Sequence, residues 1–326
     1  AAPPLWRAVI PSPNLARLLA LILVSGLAVA GTGLLWRDLT TGRGTSGSPL
    51  ARLAAGARAA LLRPDPWLRL VVFLAVYSPM MSAFVTFKAA LPEMAPFAWD
   101  GTLAAWDRAL HGGTDPWRWT WALFGGEAAT RIIDRLYVGW FLVTYGVLLA
   151  VLLFGRDRRL RARFVLAHVA GWVVLGSLAA LLMPAGGPCY HALLTGETGG
   201  FAPLLAGLRT MDAGGGLYAV TLQDALWAAH QGDPAATMVE GISAMPSLHV
   251  AQAVLVACLG LRLGRLPGVL GLLWAAAVMV GSVHLGWHYA LDGYAGGLGM
   301  LILWWASGRV LAAVPAADPA PARLYS

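Results

Sequence analysis

Two apolar runs with a basic break between them constrain this chain more than any other feature. The first, PSLHVAQAVLVACLGLRLG, covers residues 246–264, and the second, GVLGLLWAAAVMVGSVHLGWHYALD, covers residues 268–292. Arg262 and Arg265 mark the break. As helices rising 1.5 Å per residue, such runs each climb ~25–30 Å, about the depth of a bilayer's hydrocarbon core. The pair therefore reads as a hairpin that crosses a membrane and returns. His249 opens the first run, His284 and His288 close the second, and Asp292 follows four residues later. The hairpin brings His249 and His288 to the same side at a similar depth. Burying ionisable groups there is costly, so they are functional candidates.

The rest of the chain agrees with a membrane protein. Of its 326 residues 58% are hydrophobic and only 12% are charged, about half the charged share of a soluble domain. Mean hydropathy is +0.67. The expected fold class is all-α: a polytopic membrane helix bundle. The net charge of +7 is read as topology and not as a nucleic-acid footprint, because most arginines flank apolar runs. Cys189 and Cys258, the only cysteines, fall in a loop and a span, so no disulfide is expected.

Taken in order, residues 1–14 are Pro-rich, and the run at 18–35 is expected to be a retained first spanning helix. Reading it as a cleaved signal ending at Ala28-Val29-Ala30 would leave Arg37, Arg43, Arg52, Arg58, Arg63 and Arg69 outside. Residues 51–63 suggest a weakly amphipathic cytoplasmic helix. Further spans are expected at about 67–91, 132–154 and 164–183, then the hairpin, then 289–311. Residues 92–126 mix five tryptophans with Asp100, Asp107, Arg108, His111 and Asp115. That suits short interfacial helices or a lid over a site. Residues 184–245 read as a long Gly/Pro-rich loop. The cluster Arg156, Arg158, Arg159, Arg161 and Arg163 marks a cytoplasmic turn. With it, both catalytic-looking histidines face the non-cytoplasmic side. The expected organisation is an N-terminal segment at 1–66, a membrane-embedded catalytic domain at 67–313 and a cytoplasmic tail at 314–326, in the cell membrane.

Pro246 suits the first position of a helix. The amides of Ser247, Leu248 and His249 would then be free to bind an anion. His288 and Asp292, four apart, would share a helix face. A carboxylate on one imidazole nitrogen fixes the tautomer and frees the other nitrogen as nucleophile or base. His249 can give or take a proton near neutral pH. These parts suit attack on phosphorus through a phosphohistidine. His168 reads as a satisfied packing residue, and His111, His191 and His230 as loop or interface residues. His284 and His288 form an H-x3-H pair, but the sequence HLGWH lacks the glutamate of H-E-x-x-H and no cysteine is near. No metal and no other cofactor is expected.

The strings Ala244-Met245-Pro246-Ser247-Leu248-His249 and His288-Tyr289-Ala290-Leu291-Asp292 resemble two signatures of the type-2 phosphatidic acid phosphatase superfamily. The closer likeness is to its inositol phosphorylceramide synthase and sphingomyelin synthase branch. PAGGPCY at 184–190 and the segment from Lys88 to Trp117 also resemble that branch, so the likeness covers roughly residues 75–305. It implies a six-helix core, here with one extra helix, and roles: His288 nucleophile, Asp292 its partner, His249 the acid, Ser247 a phosphate ligand. The superfamily's Lys-x6-Arg-Pro string is missing, and Ser282 stands where a phosphate-binding arginine would be. Lys88, Arg131 and Arg135 are candidates to replace those cations, and Tyr190 and His284 are further candidate substrate ligands. The expected activity is transfer of a phospho-headgroup from a membrane lipid donor to a lipid or polyol hydroxyl. Hydrolysis is the alternative, and a non-enzymatic transporter or scaffold is the rival class.

Overall fold

The computed structural model describes Arg58, residues 62–233 and residues 241–314. The expected span at 18–35 and the tail from 315 lie outside the described residues. The amphipathic segment at 51–63 is described only at Arg58, Leu62 and Arg63. Five described helices or helix pairs are long and apolar enough to cross a membrane, and a shorter apolar helix accompanies them. No strand occurs among the described residues.

Helix α1, Pro64–Met94, starts with proline in its first turn and Asp65 beside it, a favourable start for the helix dipole. Its sides are largely exposed, as a lipid-facing helix requires. Two short helices follow, α2 Asp100–Leu110 and α3 Pro116–Phe124. Then α4, Glu127–Val138, and α5, Trp140–Phe154, form one span with a break at Gly139. Asp157 caps α6, Arg158–Leu182, by accepting from the amides of Arg159 and Leu160. Within α6 the stretch Gly171–Ala179 winds as a π-helix.

The segment 184–245 departs from the expected loop. It holds a turn at Pro188–Tyr190 and helices α7 His191–Thr195, α8 Ala202–Met211 and α9 Tyr218–His230. Leu204 and Leu208, four apart, are buried in the core, with Leu217 and Val220. Tertiary packing thus organises a segment whose glycines and prolines suggested none.

The hairpin consists of α10, Leu248–Leu263, and α11, Arg265–His284, with Gly264 alone between them at φ 145°. Pro267 lies in the first turn of α11, where a missing N–H costs nothing. Helix α12, Ala290–Ala313, packs on α10. Small residues set these close approaches: a Cβ on Gly271 would press on the Ala257 backbone, and one on Gly296 would overlap the Ser247 carbonyl. His168 is fully buried and bonded to Tyr77 Oη at 3.0 Å and Gln252 Oε1 at 2.9 Å, the satisfied packing residue expected.

Candidate active site

Ser247, not Pro246, sets the start of α10. Ser247 is the N-cap, and its hydroxyl accepts from the Val250 amide at 3.4 Å. Its own amide donates to the Asp292 carbonyl at 2.9 Å. The anion site expected at this helix end therefore loses the Ser247 amide. The first-turn amides of Leu248 and His249 remain without intrahelical acceptors.

His288 also differs from expectation. It precedes the N-cap of α12, Tyr289, and so stands in the turn after α11 and outside the helix. The amides of Trp287 and His288 both donate to the Ser282 carbonyl, at 3.0 and 3.1 Å. The pairing with Asp292 survives because Asp292 lies in the first turn and reaches back. Its Oδ2 accepts from the Tyr289 amide at 3.1 Å and lies 3.3 Å from His288 Nδ1. A proton held at Nδ1 leaves Nε2 with its lone pair. Asp292 Oδ1 is buried with no hydrogen-bond partner among the described residues.

His249 and His288 come together, with ring centroids 6.2 Å apart. The His249 ring stacks on Tyr137 at 4.9 Å and lies 4.5 Å from Trp140. Trp140 Nε1 donates to the His249 carbonyl at 2.8 Å, which fixes the helix end beneath the imidazole. Both histidines line one cavity of about 420 Å³. Its lining is largely apolar and aromatic, with Met81, Phe84, Trp140, Phe141 and Trp172. Lys88, Tyr190, Ser243 and the two imidazoles add polar groups to the lining.

The other expected ligands fall differently. Ser247 is fully buried behind the cavity wall, and its hydroxyl is engaged in the cap. Arg131 and Arg135 do not line the cavity. Arg131 bonds Glu127, one helical turn before it, and the Met211 carbonyl, both at 2.9 Å; Arg135 is exposed on α4. His284 bonds Thr130 Oγ1 at 3.0 Å and Thr120 Oγ1 at 3.3 Å and stacks on Trp121, so both ring nitrogens are engaged away from the cavity. Tyr190 lines the cavity, but its hydroxyl donates to the Gln223 carbonyl at 2.9 Å. Burial pushes that phenol up, which keeps it a donor. Ser282 is buried, with its hydroxyl on the Met279 carbonyl.

Sequence reasoning missed a set of buried carboxylates. Asp100 accepts from the Gly186 and Gly187 amides, both at 2.8 Å, and from Tyr289 Oη at 2.9 Å. Asp107 accepts from the Ala290 and Leu291 amides at 3.0 and 3.1 Å. Asp134 takes the Tyr218 and Ala219 amides, both at 2.8 Å. The signal was there: acids in an aromatic membrane segment must be paired once buried. His191, expected in a loop or at an interface, is buried and its Nδ1 lies 2.9 Å from Tyr289 Oη.

A family model of the PAP2 superfamily matches residues 101–306, more than half of the chain. The chain belongs to the PAP2 superfamily. No curated protein and no solved structure gave a match. PAP2 superfamily membership assigns the chain a phosphatase- or phosphotransferase-type lipid chemistry. The matched region takes in His249, His288 and Asp292, while Lys88 stands ahead of it.

Proposed function

We propose that this PAP2 superfamily protein is an integral membrane lipid phosphotransferase. It moves a phospho-headgroup from a phospholipid-type donor to a hydroxyl acceptor through a phosphohistidine. The observation that carries the reading is the pair His249 and His288, with ring centroids 6.2 Å apart, in one cavity whose lining is mostly apolar and includes Lys88.

In the first step His288 Nε2 attacks phosphorus, and the bond to the leaving oxygen breaks. His249 protonates that oxygen, releasing the lipid alcohol. Asp292 holds the Nδ1 proton and stabilises the charge that develops on the ring. In the second step neutral His249 takes the acceptor's hydroxyl proton. The acceptor oxygen then forms the new P–O bond, the P–N bond breaks, and His288 is regenerated. A 3.3 Å His288–Asp292 contact is within the range that tightens when substrate binds.

Charge favours a diester donor. Lys88 is the cavity's one Lys or Arg among the described lining residues. One lysine matches a phosphodiester's single negative charge better than a phosphomonoester's two. Likeness to the inositol phosphorylceramide synthase and sphingomyelin synthase branch points the same way. The basic cluster Arg156–Arg163 supports, by the positive-inside rule, a site on the non-cytoplasmic face.

Product analysis tests this. The full chain in detergent micelles is given fluorescent short-chain glycerophospholipids, with and without polyol or lipid alcohols. A new phosphodiester on the alcohol supports transfer, and only a free phosphorylated headgroup and lipid alcohol would mean hydrolysis. His288→Ala should abolish either product, and full turnover by that variant would overturn both readings.

A further inference from the structure

We propose that helix α2 is the brace that aims His288, with Asp107 and Asp100 as its two positioning residues. The proposal rests on His288 being the nucleophile. Seven residues apart, the two aspartates lie on one face of α2, about two turns from each other. Both residues are buried, at 4% and 2% exposure, and neither lines the cavity. They therefore do not meet the donor or the acceptor.

What they hold instead brackets the nucleophile. Asp107 takes the amides of Ala290 and Leu291, the first two of α12. It completes that helix end with a carboxylate, where charge and dipole agree. Asp100 takes the Tyr289 hydroxyl and the amides of Gly186 and Gly187. Gly187 in turn sits against the Trp287 carbonyl, where a Cβ would overlap it. Residues 287, 289, 290 and 291 are thus each fixed from the α2 side, directly or through Gly187. His288 lies between them, with its amide donating to the Ser282 carbonyl. His288 itself lines the cavity.

Burying two carboxylates is a costly way merely to pack a helix. Burial raises the Asp107 carboxyl above its usual range, and the two amide bonds only oppose that rise. The arrangement gives a rigid turn at the one residue whose angle decides in-line attack. A misplacement on the order of 1 Å there can cost about 10²-fold in rate.

The test compares Asp107→Asn, Asp100→Asn, Tyr289→Phe and His288→Ala in the full chain. The probe is a fluorescent glycerophospholipid carrying ³²P in its headgroup. The expected result is a kcat lower by about tenfold or more for both aspartate variants, with KM within about twofold and slower labelling of His288. The loss should be the same for donors with different headgroups. Tyr289→Phe removes only one hydroxyl, so it keeps the proposal testable if an aspartate variant does not fold; it should lose rate in the same direction. A rise in KM that varies with headgroup would make the aspartates substrate ligands and overturn the proposal. Full activity of the aspartate variants beside a dead His288→Ala would overturn the brace alone. Activity in His288→Ala would overturn the phosphohistidine reading and the brace with it.

Discussion

The amide of Ser247 donates to the carbonyl of Asp292 at 2.9 Å, so the starts of α10 and α12 are joined main chain to main chain. His249 follows one end of that link and His288 precedes the other. Their spacing is set by backbone as much as by side chains. A Cβ at Gly296 would overlap the Ser247 carbonyl, so the link needs glycine one turn beyond Asp292.

Gly296→Ala should therefore push the two helix ends apart. The expected destabilisation is about 1–3 kcal/mol, the range for overpacking a tight contact, with turnover reduced as well. Gly297→Ala is the control, since its nearest contact would be Val254 Cγ2 at 3.6 Å. Thermal unfolding in detergent and turnover check both; equal behaviour of the two variants would contradict the close-approach argument.

His249 and His288 should separate by leaving group. His249→Ala should lose about 10²–10⁴-fold on a lipid diester, the usual worth of a general acid or base. A p-nitrophenyl phosphodiester leaves without much protonation, so the first step of this variant should largely recover, read as the p-nitrophenol burst. His288→Ala should remain inactive on both. Recovery by His288→Ala instead would exchange the two roles.

Lys88, on α1, lines the cavity that holds both histidines. A charge-assisted hydrogen bond is worth about 1.5–3 kcal/mol. Lys88→Met should thus lower kcat/KM on an anionic donor by about 10–100-fold, and Lys88→Arg should retain more. An unchanged kcat/KM in the methionine variant would remove Lys88 from the site.

Tyr137 Oη is buried with no hydrogen-bond partner among the described residues, while its ring stacks on His249. A phenylalanine keeps the stack and removes the orphaned hydroxyl, whose burial costs about 1–3 kcal/mol. Tyr137→Phe should raise the unfolding temperature. A lower one would mean that the hydroxyl is engaged in the working protein.

His191 carries a pH dependence. Burial lowers its pKa below 6.5, against a smaller opposing pull from Asp100. The unfolded chain then binds the proton more readily, so stability rises with pH in the window just below 6.5. The contribution is complete above 6.5 and is lost as pH falls through the folded value. His191→Gln should flatten that limb in a plot of unfolding temperature against pH, and an unchanged limb would assign it to other groups.

Much of this architecture was legible from residue types. Apolar length located the spans from residue 64 onward, since a bilayer demands satisfied backbone over its whole depth. His249, His288 and Asp292 stood out because ionisable groups in such runs are rare. The supporting carboxylates did not, because Asp100 and Asp107 serve backbone groups and Tyr289 86–189 positions away, and no local pattern encodes that. Arg131 pairs with Glu127 four residues before it, a partner that the spacing of a helical ion pair made readable in the sequence. The helices between 191 and 230 were hidden because packing, not propensity, forms them.

Lys88 belongs to α1, and α1 ends before the matched region begins at residue 101. The two histidines of the proposed mechanism and the lysine that lines the same cavity therefore come from different stretches of the chain. Under the proposed mechanism, reaction chemistry and electrostatic selection are modular: exchanging residues 64–94 alone would swap the lysine and the Met81, Phe84 and Val85 part of the lining while leaving both histidines where they are.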